Sequence, residues 1–265
     1  MALSTRIALG ILLSWLVLSA FSPFVLSDPD EIDLARILVE PSTAALMGRD
    51  DLGRSVATRI TAGAGVSFAI ALAVVACACL IGTGVGLYSG WKGGVIDLLI
   101  ARVMDVFLAF PGILLAIALA GILGPGIGNV VIALTVVGWV GFARLARAQT
   151  LSVKHRDHVS IAVALGTSPP RIVMCHVLPL ITAPIIVEIT FGLAGVIVAE
   201  AGLSFLGLGI QPPTASWGSM IRDGTRYMLV APHLVIMPGF ALMSVVVALS
   251  LIGDRLRDHW QIDRS

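Results

Sequence analysis

Of 265 residues, 57% are hydrophobic and 12% are charged, and the mean hydropathy is +0.99. A soluble globular chain carries about a quarter charged residues, so this composition excludes a water-soluble fold and makes the bilayer the solvent. A net charge of +1 offers no attraction to nucleic acid, and Cys77, Cys79 and Cys175 are too few for a disulfide scaffold.

A helix needs about 20 apolar residues to cross the hydrocarbon core. Six stretches meet or approach that length, roughly 7–27, 62–89, 95–123, 127–143, 180–209 and 229–252. The first carries Arg6 before its apolar core, as a signal peptide would, but the core is too long and lacks a clean small-x-small cleavage site. It is read as an uncleaved span. Segment 28–61 follows, acidic at its start (Asp28, Asp30, Glu31, Asp33) and ending in GRDDLGRSVATRI, which reads as a solvated loop with turns at Gly48 and Gly53. Cys77 and Cys79 fall inside the second span, where thiols pack as small hydrophobes.

The turn GWKGG at 90–94 leads to the third span, which contains Arg102 and Asp105. Ionisable groups in a span are costly unless paired or wet. The three-residue spacing favours an intrahelical pair, and the alternative is a lining of the inner mouth of a pathway. After GPGIG at 124–128, the fourth span is short but extends towards Trp139 at an interface. Residues 144–165 mix Arg144, Arg147, Gln149, Lys154 and Arg156 with regularly spaced Leu, Val and Ala, the pattern of an amphipathic helix leaving the membrane.

Then comes LGTSPPRIVMCHVLP at 165–179. Gly166 stands where a left-handed C-terminal cap would fall, and Ser168 before Pro169 reads as an N-cap followed by a proline at the first helical position. A short second helix runs through Arg171, Ile172, Val173 and His176 until Pro179 opens the fifth span. The product is helix, glycine turn, helix. Its apolar residues need a covering surface, supplied either by a partner protein or by the membrane interface.

The fifth span holds Glu188, the deeper, and Glu200, near its far end. The loop 208–228 contains GIQPPTASWGSM, in which Pro212 and Pro213 stiffen the backbone and Trp217 suits an interfacial anchor or a plug at a pathway mouth. His233, after Pro232, begins the last span and reads as an interface residue rather than a metal ligand. Six spans put both termini on one side. With the termini inside, eleven Lys and Arg residues lie inside (Arg6, Lys92, Arg102, Arg144, Arg147, Lys154, Arg156, Arg171, Arg255, Arg257, Arg264) and six outside, which favours cytoplasmic termini.

The order A-x3-G followed by a helix ending in L-P resembles the cytoplasmic EAA loop of ABC importer permeases, at Ser160, Ile161, Ala162, Gly166, Leu178 and Pro179. Ser160 and Ile161 stand where that pattern has Glu and Ala. Further stretches are similar to the dipeptide, oligopeptide and nickel branch: GRDDLGRS at 48–55 (with Arg49 and Ser55 as departures), ARVMDVFLAFPGILLAI at 101–117, GFARLARAQTLS at 141–152, EAGLSFLGLGIQPPTASWGSMI at 200–221, and IGDRLRDHW at 252–260. The resemblance covers nearly the whole chain and is to the C-type subunit.

That resemblance implies one all-α integral membrane domain over 1–265, with six transmembrane helices and a cytoplasmic coupling-helix loop at 149–179. It implies that Ser160, Ile161, Ala162, Gly166, Thr167, Ser168, Pro169, Arg171 and Ile172 dock on an ATPase subunit. It also implies a homologous second permease, two ATPase subunits or domains, an extracytoplasmic substrate-binding protein, and a place in the cytoplasmic membrane of a prokaryote. No G-x4-G-K-[ST] phosphate loop occurs, so ATP and Mg belong to the partner ATPases and this chain binds no cofactor of its own. Arg102, Asp105, Glu188, Glu200 and Trp217 are the candidates for a pathway or gate. The substrate is read as a di- or oligopeptide, with nickel or a metal chelate as the alternative. A secondary carrier is a more distant alternative, against which stands the want of a detectable inverted repeat.

Overall fold

The structure, a computed structural model, describes residues 3–25 and 28–262. Leu26 and Ser27 of the expected first span, and Arg264 of the charge count, lie outside the described residues. The fold is helical: α1 (Leu3–Val25), α2 (Val56–Lys92), α3 (Gly94–Leu108), α4 (Gly112–Leu123), α5 (Ile127–Val153), α6 (Asp157–Ala164), α7 (Pro169–Ile172), α8 (Leu178–Phe205), α9 (Trp217–Thr225) and α10 (His233–Ile262). Among the described residues, five helices are long and apolar enough to cross a membrane, and a sixth crossing results if α3 and α4 are taken together.

The expected single span over 95–123 is instead two helices meeting at 83°. Pro111 is the cause. It has no N–H to give, and it pushes Phe110 before it out of helical geometry. Helix α3 therefore ends at Leu108 and α4 restarts after Pro111, too short at 12 residues to cross alone.

Helix α2 is the central post. Ser55 caps its start by accepting from the N–H of Thr58, and Gly93, at φ +66°, closes its end through an N–H bond to the Ser89 carbonyl. At 1.5 Å per residue its 37 residues span about 55 Å, so it projects well beyond a core about 30 Å thick. Gly82, Gly86 and Gly90 stack one turn apart against α5, and a Cβ on Gly82 or Gly86 would collide with the carbonyls of Trp139 or Ala143. Lipid offers no hydrophobic drive for helices to associate, so such close backbone approach supplies the van der Waals contact that holds them.

Helix α5 continues unbroken past 143 to Val153, so the amphipathic stretch begins as an extension of the transmembrane helix rather than as a separate one. Its inner face (Phe142, Ala143, Ala146, Thr150) is buried on the glycines of α2, whereas Gly141, Arg144 and Ala148 remain exposed. Helix α7 runs through a wide turn at Val173–Val177 directly into α8, and Pro179 sits within the first turn of α8 without breaking it.

Segment 28–55 is not the solvated loop its composition suggests. Asp50 accepts from the backbone N–H groups of Leu52 and Arg54 and pairs with the Arg54 guanidinium at 2.7 Å. Arg59, its side chain only 5% exposed, meets Asp30 at 2.9 Å and Asp50 at 3.6 Å. Alternating charges thus lock the turns onto the first turn of α2. His233 lies buried beneath Gly48.

Candidate coupling loop and translocation face

Helix α6, the turn after it and α7 form a helix–turn–helix beside the Lys92 end of α2. The N–H of Gly166 donates to the carbonyl of Val163, and that of Thr167 to the carbonyl of Ala162. Together with φ +78° at Gly166, this is a Schellman C-cap, which satisfies two carbonyls left over at the end of α6. Ser168 holds the N-cap position of α7, but its side chain makes no capping bond. Pro169 and Pro170 occupy the next two positions and offer no N–H, which leaves Arg171 as the sole donor a capping hydroxyl could reach.

The loop has two faces. Val159 and Ala162 are buried against Ile172 and Val177, which pins α6 to the base of α8. Ser160, Ile161, Val163, Leu165, Ser168, Pro169 and Arg171 are exposed, with Ile161 at 58% and Leu165 at 79%. A rigid tip therefore presents aliphatic side chains outward. The nine residues singled out from the sequence divide accordingly: Ala162 and Ile172 face inward, Gly166 and Thr167 make the turn, and Ser160, Ile161, Ser168, Pro169 and Arg171 lie on the outer surface.

At the same end of the molecule, Arg147 on α5 binds Asp97 on α3 through two parallel bonds of 2.6 Å, and the Ser89 hydroxyl of α2 donates to the same carboxylate at 2.6 Å. Lys154 reaches the Gly90 carbonyl at 3.0 Å. Three helices, α2, α3 and α5, are thereby fastened together near the Lys92 end of α2. Asp97 was not singled out from the sequence, because nothing in its local pattern reveals a partner 50 residues away.

Arg102 and Asp105 stand on the outer side of α3, exposed and 3.7 Å apart. The two glutamates of α8 have different surroundings. Glu200 is 1% exposed and accepts from Ser67 on α2 at 3.0 Å and from Ser204 at 2.7 Å. The Ser204 hydroxyl in turn accepts the Ile210 N–H, tying the chain after α8 to this centre. Glu188 is half-buried and has neither hydrogen bond nor ion pair among the described residues. It borders a cleft of about 270 Å³ with Gln149 and Leu145 of α5, Pro184 of α8, and Arg257 and Trp260 of α10. Further along α5 and α8, Gly112, Gly138, Gly195 and Ala199 line a second, apolar hollow of about 240 Å³. Both hollows are lined by α5 and α8, the apolar one nearer the Trp217 end and the polar one nearer the loop.

Trp217 opens α9 and is fully buried, stacked edge-on against Trp15 and Phe68 at 5.6 and 6.3 Å. Ser216 before it makes a capping box with Ser219. Gly218 admits the close approach of α9 to the Ala201 carbonyl of α8. The indole is therefore part of the core that joins α1, α2 and α9 at the end of the bundle opposite the loop. Ser67 and Ser204, which support Glu200, were not legible as a group, since isolated serines in apolar runs carry no pattern.

Residues 82–261 match the family described as binding-protein-dependent transport system inner membrane component. The chain is 40% identical over 253 residues to a dipeptide transport system permease protein, DppC, of Alkalihalophilus pseudofirmus, which covers 95% of this chain and 83% of that one. It is 39% identical over 226 residues to a glutathione transport system permease protein, GsiD, of Pectobacterium atrosepticum, with 85% and 75% covered. Among solved structures, a chain of the MetNI methionine ABC transporter in an inward-facing conformation shares the fold at a TM-score of 0.61 and 19% identity, covering 75% of this chain and 95% of that one. The chain belongs to the family of inner-membrane components of binding-protein-dependent transport systems, the multi-pass permease subunits of ABC transporters that work with a separate ATPase and a binding protein.

Proposed function

We propose that this permease carries small peptides, dipeptides or a tripeptide of the glutathione kind, inward across the membrane as half of a two-permease pathway. The observation that carries the substrate class is the identity near 40% to permeases named for dipeptides and for glutathione, over most of their lengths. No observation favours the nickel alternative.

In this reading both termini and the α6–α7 loop are cytoplasmic, in keeping with the excess of Lys and Arg on that side. The exposed tip around Ile161 and Leu165 inserts into a groove of the ATPase, and burial of those side chains supplies the contact. When the ATPases close on ATP, they move the two loops of the paired permeases together. The buried face of α6, packed with Val153 of α5 and Ile181 of α8, transmits that movement to those helices, and the Asp97–Arg147 clamp carries α3 along with α5. The groove beside α5 and α8 is the half-channel, closed towards the binding protein by α9 and Trp217. Arg102 and Asp105 on exposed α3 face the second permease or the lipid headgroups.

The test is reconstitution of the chain with its homologous permease, its ATPases and its binding protein in proteoliposomes. ATP-dependent uptake of a labelled dipeptide or of glutathione is the expected result. Uptake of nickel without uptake of either peptide contradicts it, as does transport by this chain alone.

A further inference from the structure

The two glutamates of α8 are twelve residues apart in a helix long and apolar enough to span the membrane, and their surroundings are opposite. Glu200 is enclosed and held by two serine hydroxyls. Glu188 has no partner among the described residues and looks into an open cleft. An uncompensated carboxylate within a span is costly and persists where it faces a water-filled path or receives a cation. Room has been left for it: Gly141 of α5 stands opposite, and a Cβ there would come within 3.2 Å of a Glu188 carboxylate oxygen.

The other polar groups of the cleft make a complementary set. Gln149 offers an amide, and Arg257, which pairs with Asp254 at 3.0 Å, puts a guanidinium on the opposite wall. Arg257 and Glu188 are not bonded to each other, so the cleft is lined by a carboxylate and a guanidinium, the latter shared with Asp254, together with apolar Leu145, Val187 and Trp260. A small zwitterion carries groups complementary to each of these.

We propose that this cleft is a transient substrate station on the loop side of the pathway. In it the Glu188 carboxylate receives the free α-ammonium group of a small peptide, while Arg257 and Gln149 face its carboxylate end. This rests on the peptide reading above and adds to it a residue that reads the amino terminus inside the membrane. The station is shallow, since Glu188 and Arg257 both keep access to water, and a site that must release its cargo to the cytosol cannot bind it tightly.

The experiment uses the complete reconstituted importer and compares uptake of labelled dialanine by wild type, Glu188→Gln and Glu188→Asp. Removal of the charge is expected to lower uptake at least ten-fold, and the aspartate is expected to restore a substantial part. The second permease and the ATPases are expected to be recovered with all three proteins in equal amounts. Wild-type uptake with an unaffected Glu188→Gln overturns the proposal and leaves the peptide reading intact. Loss of the second permease from Glu188→Gln also overturns it, by making Glu188 an interface residue that pairs with a cation of that subunit. Equal losses in Glu188→Gln and Glu188→Asp, with assembly intact, overturn it as well, since shape rather than charge then decides. Absence of dialanine uptake by the wild type contradicts the peptide reading itself and with it the station.

Discussion

The indole N–H of Trp217 donates to the backbone carbonyl of Ile60, 157 residues earlier in the chain, at 3.0 Å. The bond joins the first turn of α9 to the early turns of α2, and the Trp15 and Phe68 rings close around it. One side chain thus unites α1, α2 and α9 at the end of the bundle where the charged segment 28–55 also folds. An indole with its polar edge satisfied and its faces packed is held in place from all sides.

Replacement of Trp217 by Ala should cost about 3–5 kcal/mol of stability, from lost burial and the cavity left behind. Trp217→Phe should cost far less, because the Ile60 carbonyl loses one bond while most ring contacts survive. Thermal unfolding of the purified complex in detergent measures both. In the same complex, Trp217→Ala should raise ATP hydrolysis in the absence of binding protein, since the closed end is loosened. Unchanged hydrolysis would assign Trp217 to stability alone.

Glu200 should tolerate Gln better than Ala. Glutamine keeps the shape and an acceptor for one of the two serines, and the other serine hydroxyl can turn to accept from its amide. Alanine leaves the Ser67 and Ser204 hydroxyls without their acceptor in a buried site, at about 1–3 kcal/mol for each unsatisfied group. A clear ordering of melting temperatures, wild type then Gln then Ala, is expected. Equal melting of Gln and Ala would mean that the two hydroxyls find other partners.

The Asp97–Arg147 clamp predicts coupling between α3 and α5. Arg147→Ala and Asp97→Ala should each lower stability by about 1.5–3 kcal/mol, the range for hydrogen bonds to charged groups. The double variant should lose less than the sum. Arg147→Lys should recover only part, because an ammonium cannot make the two parallel bonds. Additive losses would show that the pair acts through separate neighbours.

Gly166→Val should cost about 1–2 kcal/mol locally, the penalty for a left-handed conformation in a residue with a Cβ. No neighbour lies within 4 Å of a Cβ built there, so the effect is conformational and not steric crowding. The larger consequence is that α7 leaves the turn in another direction and the tip is misplaced. ATPase recovery on purification should fall for Gly166→Val and remain near wild type for Gly166→Asn, which enters this conformation more readily. Ser160→Ala, at an exposed position, should have little effect. Normal recovery and uptake for Gly166→Val, with failure of Ser160→Ala, would move the contact from the turn to α6.

Local chemistry made the loop legible. A glycine after an apolar helix, followed by Ser-Pro-Pro, specifies the turn with no help from distant residues, and the turn is present with both expected cap bonds at Gly166 and Thr167. Ser168 makes no capping bond, and the two prolines that follow leave Arg171 as the one donor within its reach. Hydropathy located the apolar runs but not the break at Pro111, because a bent pair and a straight helix have the same composition. The folded state of segment 28–55 escaped notice because its ion pairs join Asp30 and Asp50 to Arg59, and alternating charges look the same whether solvated or paired. The glycines at 82, 86 and 90 carried a readable four-residue spacing, and they mark the close packing of α2 on α5. The contrast between Glu188 and Glu200 depended on three-dimensional neighbours alone.

Labelling of Leu165 tests the docking of this loop most directly. Leu165 is 79% exposed at the tip beside Gly166, so Leu165→Cys, in a chain with Cys77, Cys79 and Cys175 replaced by Ala, places one thiol there. A membrane-impermeant maleimide applied from the cytoplasmic side should modify this thiol rapidly when the permeases are expressed alone. Once the ATPases are assembled, modification should be suppressed, and a short bifunctional thiol reagent should join the position to a cysteine placed in the ATPase groove. Equal modification with and without the ATPases, or modification from the outer side of the membrane, would contradict a coupling role for residues 157–177.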